Sequence, residues 1–171
     1  MLAPQLDALY RTARRMTRNV DDAEDLVQDT AVRAFRAFAQ FQKGTNFRAW
    51  IFRVLTTTFI NRQRAMGRQP VIESVDEEHA AGVYDHIADE APTPEAAVLE
   101  RLSVEDIIGA MDSLPQDFAA AVQMADVEGM DYQEVADALG IPLGTVRSRL
   151  HRGRRLLRSA LSHMVAPEVT E

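Results

Sequence analysis

Six arginines stand between positions 147 and 158, at Arg147, Arg149, Arg152, Arg154, Arg155 and Arg158, with no acidic residue among them. A guanidinium keeps its charge at any physiological pH, and its fork of N–H donors fits the oxygens of a phosphate or the major-groove edge of guanine. Solvated helix faces ordinarily mix signs for i,i+4 pairing, so a one-sign face suits a polyanion; a plain solvated face is the alternative. A second block runs over 47–64, where Arg48, Arg53, Arg62 and Arg64 are interleaved with Phe47, Trp50, Phe52 and Phe59. Flat rings stack on unpaired bases while arginines follow the backbone. A small helical domain must also bury its aromatics, so most of these rings are expected in the core and one or two at nucleic acid. The polar loop Gln42–Asn46 is the better place for base-specific contact, because a loop can shape a pocket around an unstacked base.

Other chemistry finds no support in the sequence. There is no nucleophile–base constellation, no carboxylate pair and no phosphate-cradling glycine loop, so the chain is not expected to be an enzyme or to carry a cofactor. The absence of cysteine removes disulfides, thiolate metal sites and an intrinsic thiol switch. His79, His86, His151 and His163 are scattered, and no metal site is expected. No run approaches the ~18 apolar residues of a membrane span, and the first residues lack the apolar centre of a signal peptide, so a soluble cytoplasmic protein without membrane insertion is expected.

The arginine run needs a rigid support, and residues 131–161 supply it. Asp131 followed by Glu134 predicts a capping box, with Val135, Ala136 and Leu139 on the inner face. Gly140 stops that helix. Pro142 suits the first position of the next, in which Leu143, Val146, Leu150, Leu157 and Leu161 recur at helical spacing. A short helix, a tight turn and an arginine-rich second helix form the helix-turn-helix pattern, whose second helix enters the major groove.

Upstream, a helix is predicted over 4–19 with Leu6, Leu9, Ala13 and Met16 inward. A longer one, capped by Asp21 or Asp22, carries Ala23, Leu26, Thr30, Ala34 and Phe38 on its inner face. Its outer face, with Asp25, Gln28, Asp29 and Arg33, reads from spacing alone as solvated surface. A third helix runs from Phe47 to about Arg64. After a Pro- and Gly-containing stretch, a helix from Thr93-Pro94-Glu95 to about Met111 is predicted, with Leu102, Val104, Ile107, Ile108 and Met111 inward. Ser113-Leu114-Pro115 caps another that ends near Gly129.

The formal net charge of −7 hides a division. Residues 30–72 hold eight basic and no acidic side chains, residues 73–100 hold nine acidic and no basic ones, and 147–171 carry a net +4. Two basic blocks thus flank an acidic middle. The expected architecture is all-α: two small helical domains, 1–66 and 95–165, joined by a flexible acidic linker at 67–94 and followed by a tail at 166–171. About 30 flexible residues span ~30 Å on average and ~100 Å when extended, enough for two DNA sites some ~20 base pairs apart.

With both ends read, DAEDLVQDTAVRAFRAF, FRAWIFRVLTTTFINRQR and SLPQDFAAAVQMADVEGMDYQEVADALGIPLGTVRSRLHRGRRLLR occur in one order and spacing. Together they resemble the extracytoplasmic-function (group IV) sigma factors of bacterial RNA polymerase over nearly the whole chain. TNFRAWIFRVLTTTFINRQR and ADVEGMDYQEVAD look most like the members that answer thiol-oxidative stress. The resemblance implies that 1–66 is sigma region 2 and 95–165 sigma region 4. It implies that Asp25, Gln28, Asp29 and Arg33 bind core polymerase at the clamp of its largest subunit. Lys43, Thr45, Asn46, Phe47, Trp50, Arg53, Asn61 and Arg62 are implied in opening and reading the minus-10 element, with one non-template base flipped out. Extruding a base costs a few kcal/mol, which a preformed pocket must offset. Arg147, Ser148, Arg149 and Arg152 are implied nearest the bases or phosphates of the minus-35 element, with Arg154 and Arg155 on phosphates. The partners implied are promoter DNA, the polymerase clamp and flap, and an anti-sigma factor that masks both domains.

Two departures stand out. Many relatives place an arginine where this chain has Ala119 or Ala120, which puts a backbone phosphate contact there in doubt. The acidic linker occupies the place of region 3, and region 1.1 has no counterpart. Against this reading stand a free-standing helix-turn-helix regulator, which would need a dimer helix that the sequence does not offer, and a protein-interaction adaptor, which leaves the arginine helix unexplained.

Overall fold

The computed structural model describes residues 2–42, 44–68 and 102–165, with side chains to 163. Met1, Lys43, almost all of the predicted linker, residues 95–101 and the tail lie outside the described residues.

A 3-10 turn at Ala3–Gln5 leads into α1 (Leu6–Thr17), which buries Ala8, Leu9, Thr12, Ala13 and Met16 and leaves Leu6 partly exposed, against expectation. Helix α2 (Val20–Ala37) is capped by Asn19, whose side chain accepts from the Asp22 amide at 3.0 Å. The predicted caps Asp21 and Asp22 sit in the first turn instead, where a carboxylate still favours the positive end of the helix dipole. Helix α3 (Phe47–Ala65) begins at Asn46, whose Oδ1 accepts from the amides of Arg48 and Ala49. It buries residues nearly all round, from Ile51 and Phe52 to Phe59 and Ile60. Such a helix must be covered on more than one side.

In the second unit the described residues hold α4 (Val104–Ser113), and the start of the helix predicted from Thr93-Pro94-Glu95 lies outside them. Leu102 and Ser103 are not helical, and Ser103 forms a capping box with Asp106. Among the described residues predicted inward, Met111 is buried, together with Ala110, Leu102 is partly buried, and Val104, Ile107 and Ile108 are exposed. Pro115 takes the cap position of α5 (Gln116–Val122) without a side-chain capping bond, and a π turn at Gln123–Val127 leads to Gly129 at φ 64°. Helix α6 (Tyr132–Leu139) has the predicted Asp131–Glu134 capping box and the predicted stop at Gly140, at φ 71°. Helix α7 (Leu143–Val165) starts directly after Pro142.

Helices α1, α2 and α3 pack as one bundle, and α5 and α6 pack on α7 as another. The two bundles are not separate. Helix α1 lies against α5, α3 lies against α6, and one apolar cluster runs from Leu9 and Leu55 through to Val122 and Leu139. Covering α3 from both sides explains its all-round burial. Where α5 meets α7, a Cβ added at Gly153 would stand 2.8 Å from Val122 Cγ2, so this crossing needs the missing side chain.

Candidate nucleic-acid and polymerase surfaces

At the start of α3, four rings gather. Phe41 lies 5.3 Å from Trp50 and 5.5 Å from Phe47 between centroids, and Phe38 lies 6.0 Å from Phe41. Phe47, Trp50 and Phe41 are half-buried, whereas Phe52 and Phe59 are core. Phe47 and Trp50 are thus the partly exposed rings of the 47–59 block, and both still pack against the core. Phe38 and Phe41 join them, although Phe38 had been placed on the inner face of α2. Thr45 Oγ1 donates to the Gln42 carbonyl at 2.8 Å and shapes the adjoining loop. Asn46 is spent twice, its oxygen on the cap of α3 and its amide on a hydrogen bond to Glu134 of α6. Arg53 Nη1 donates to the Asp137 carbonyl at 2.6 Å, while Asn61 is exposed. Arg62 turns back on α2, with Nη2 2.7 Å from Asp29 Oδ2 and 3.0 Å from the Asp25 carbonyl. In this arrangement Arg62 links the set expected at minus-10 to the set expected at polymerase.

On the outer face of α2, Asp25, Gln28, Asp29 and Arg33 are all exposed. Beside them stand Phe35, 86% exposed, and the exposed Val32, and a shallow depression is lined by Asp29, Val32, Arg33, Arg36, Ala37 and Gln40. Phe35 and Val32 thus add exposed apolar surface to this charged face. The signal for it was in the sequence, since Phe35 falls outside the Ala23, Leu26, Thr30, Ala34 spacing.

The arginines of α7 divide. Arg147, Arg154, Arg155 and Arg158 are exposed and Arg152 is partly so. Arg149 is not on that face at all. It is 0% exposed, with Nε 3.6 Å from Asp117 Oδ2 of α5, so its expected contact with bases is corrected to an interior role. Three residues after Val146 and one before Leu150, it lies on the inner stripe of the helix. Ser148 is also buried, its hydroxyl donating to the Thr145 carbonyl. Arg154 grips Asp126 with both Nε, at 3.0 Å, and Nη2, at 2.6 Å, and packs over the Tyr132 ring. The hydrogen bonds to Asp126 raise its pKa further above the ordinary arginine value, so it stays a cation. Ala119 and Ala120 are both buried, so neither offers a side chain to a phosphate.

Comparison with known proteins gives two regional matches in this order. The profile described as Sigma-70 region 2 matches residues 3–69, and that described as Sigma-70, region 4 matches residues 96–157. An ECF RNA polymerase sigma-E factor of Haemophilus influenzae is 30% identical over 91% of this chain and 84% of its own length. The chain belongs to the extracytoplasmic-function sigma factors of the sigma-70 family. This sigma factor is also 42% identical to the ECF RNA polymerase sigma factor SigE of Mycolicibacterium smegmatis, over 91% of the chain, and spans 58% of that relative's length. Among solved structures it is similar to the sigma factor RpoE of Bartonella quintana in complex with the anti-sigma factor NepR, at TM-score 0.68 and 30% identity over 94% of both chains. It is also similar to CnrH in complex with the cytosolic domain of CnrY, at TM-score 0.61 and 25% identity over 95% of this chain and 85% of that one. Among the described residues, no helix is long and apolar enough to cross a membrane, and no group of His, Cys, Asp and Glu could hold a metal ion.

Proposed function

We propose that this sigma factor binds core RNA polymerase and directs promoter-specific initiation, with region 2 opening and reading the minus-10 element and region 4 reading the minus-35 element. The observation that carries the reading is the presence, in one chain and in family order, of both regions. Region 2 presents the aromatic nest of Phe41, Phe47 and Trp50 beside Thr45 and Asn46. Region 4 presents Arg147, Arg152 and Arg155 on the helix that follows the Gly140 turn. The exposed α2 face around Phe35 is proposed to take the clamp, and region 4 to take the flap. Such a protein works as a specificity subunit in the cytoplasm and performs no covalent chemistry of its own. One structural relative is in complex with an anti-sigma factor and another with the cytosolic domain of CnrY, which supports regulation of this chain by an anti-sigma factor as well. Because the chain has no cysteine, any response to thiol oxidation belongs to that partner. The test is co-purification with core polymerase followed by transcription from a randomised promoter library. Enrichment of paired minus-10 and minus-35 elements is expected; a protein that binds duplex DNA and never associates with polymerase would be the free-standing regulator.

A further inference from the structure

Arg154 stands on the exposed side of α7, yet its guanidinium is committed to the protein. It follows Arg147 by seven residues, about 20° short of two full turns, so the two share one helix face about 10 Å apart along the axis. Among the described residues neither Arg147 nor Arg155 is paired with a carboxylate. Arg154 instead closes its fork on Asp126, Nε to Oδ2 at 3.0 Å and Nη2 to Oδ1 at 2.6 Å. Its Nη1 donates to the Tyr132 hydroxyl at 3.1 Å, and the guanidinium carbon lies 5.9 Å from the centre of that ring. These partners belong to different elements: Asp126 to the π turn, Tyr132 to the first position of α6, and Arg154 to the middle of α7. One side chain thus ties together the approach to the helix-turn-helix, its first helix and its second. π turns are rare and gather at functional sites. The one here, closed by the Glu128 amide donating to the Gln123 carbonyl at 2.9 Å, holds Asp126 within reach of an arginine 28 residues further on.

We propose that Arg154 is a positioning residue for minus-35 recognition, acting through Asp126 and Tyr132 to fix the angle of α7 on α6 and touching no phosphate itself. The inference rests on the sigma reading and reassigns one residue within it. The Arg154–Asp126 pair carries no net charge, so it adds nothing to the attraction for a polyanion, and turning Arg154 to a phosphate would break two charge-assisted bonds to the carboxylate. Its contribution is geometric. With Arg147 about 10 Å away along α7, a tilt of about 10° pivoting at Arg154 displaces Arg147 by about 2 Å, enough to break a hydrogen bond to a base edge.

The test uses holoenzyme assembled from the full chain and core polymerase, on two duplex promoters, one with the minus-35 element enriched from the library and one with that element scrambled. The ratio of the two affinities is read, because a fraction of unfolded protein lowers both alike and leaves the ratio unmoved. Asp126→Asn and Arg154→Gln should each lower this ratio about five- to tenfold, and the double variant should lose no more than either single one, since all three remove the same interaction. Arg154→Lys keeps the charge and loses the fork, and should fall with them. The double variant leaves the net charge unchanged, so its slope of log affinity against log salt should match wild type. A phosphate contact requires the reverse: Arg154→Lys near wild type, a slope lower by about 1 in the double variant, and tighter binding of both duplexes by Asp126→Asn, whose arginine is released. Any of these three results would overturn the proposal, as would a wild-type ratio in Asp126→Asn. The Arg154 side chain is 44% exposed, so Arg154→Lys leaves the core untouched and carries the test even if Asp126→Asn opens the π turn. A chain that forms no holoenzyme would sink the sigma reading instead, and the same ratio, taken with the full chain alone on duplexes it selects, would still decide the role of Arg154.

Discussion

Arg149 of α7 and Asp117 of α5 form an interior ion pair, Nε to Oδ2 at 3.6 Å, in a chain whose other α7 arginines reach solvent. The pair ties α7 to α5, the helix that precedes the π turn. Removing one member of a buried pair leaves the other uncompensated and typically destabilises by about 3–5 kcal/mol. Arg149→Ala is therefore expected to lower the unfolding free energy by about that amount, and Arg149→Met combined with Asp117→Ala to recover most of it, in urea titrations followed by circular dichroism. A base-reading arginine would behave in the opposite way, with stability kept and minus-35 preference lost.

On α2, Phe35 offers a test of polymerase docking that leaves the fold alone. A side chain 86% exposed adds little to the core, so Phe35→Ser should change stability by less than about 0.5 kcal/mol. Aromatic anchors at interface centres commonly contribute about 2 kcal/mol or more, so affinity for core polymerase should fall by about 30-fold in a titration with labelled protein. Wild-type affinity in this variant would remove the exposed α2 face from the docking site.

The exposed arginines of α7 should separate into two classes. Arg147→Ala is expected to reduce discrimination at one minus-35 position by about 1–3 kcal/mol. Arg155→Ala should weaken all sequences alike and lower the slope of log affinity against log salt by about 1. Equal sequence profiles for the two variants in a binding-site selection would reject the division.

Much of this architecture was legible from local signals. Asp131 with Glu134, Gly140 and the Phe47 start are set by hydrogen bonds and backbone geometry within a few residues, and each was placed from the sequence. Three kinds of error mark where local signals end. Arg149 was grouped with its charged neighbours because composition outweighed phase, although its spacing from Val146 put it on the inner stripe. Val104, Ile107 and Ile108 were assigned to the core because they are apolar, yet the stripe that meets α7 is made by Ala110 and Met111. The docking of region 4 on region 2 depends on pairs such as Arg11 with Glu128, 117 residues apart, for which a single sequence holds no periodic signal.

The cap of α4 gives a pH-dependent signature. Asp106 accepts from the Ser103 amide at 2.9 Å and from its hydroxyl at 2.8 Å, and these two bonds hold its carboxyl below the ordinary 3.8. A carboxyl whose folded pKa is depressed contributes stability above its unfolded pKa and loses it as pH falls through the folded value. The contribution should thus be complete at neutral pH and vanish only in strong acid, below about pH 4. Ser103→Ala removes the hydroxyl donor, so NMR titration should show the Asp106 pKa moving up toward the ordinary value. A titration that does not move would mean the capping box is not formed in solution.

Gly140 serves two demands at once, and one substitution should expose both. Its φ of 71° is left-handed, where an L side chain is disfavoured by roughly 1–2 kcal/mol. Its bare Cα also receives Arg53, whose Nη1 would stand 2.7 Å from an added Cβ. Arg53 is long and flexible enough to move, so Gly140→Ala should reduce global stability by only the backbone term, about 1–2 kcal/mol. The displaced guanidinium would then leave the Asp137 carbonyl, and region 4 should dock less firmly on region 2. Urea unfolding of the whole chain together with energy transfer between the two regions checks the pair of effects. Lost stability with unchanged transfer would show that Arg53 re-seats beside the methyl and that the close approach at Gly140 is not needed for docking.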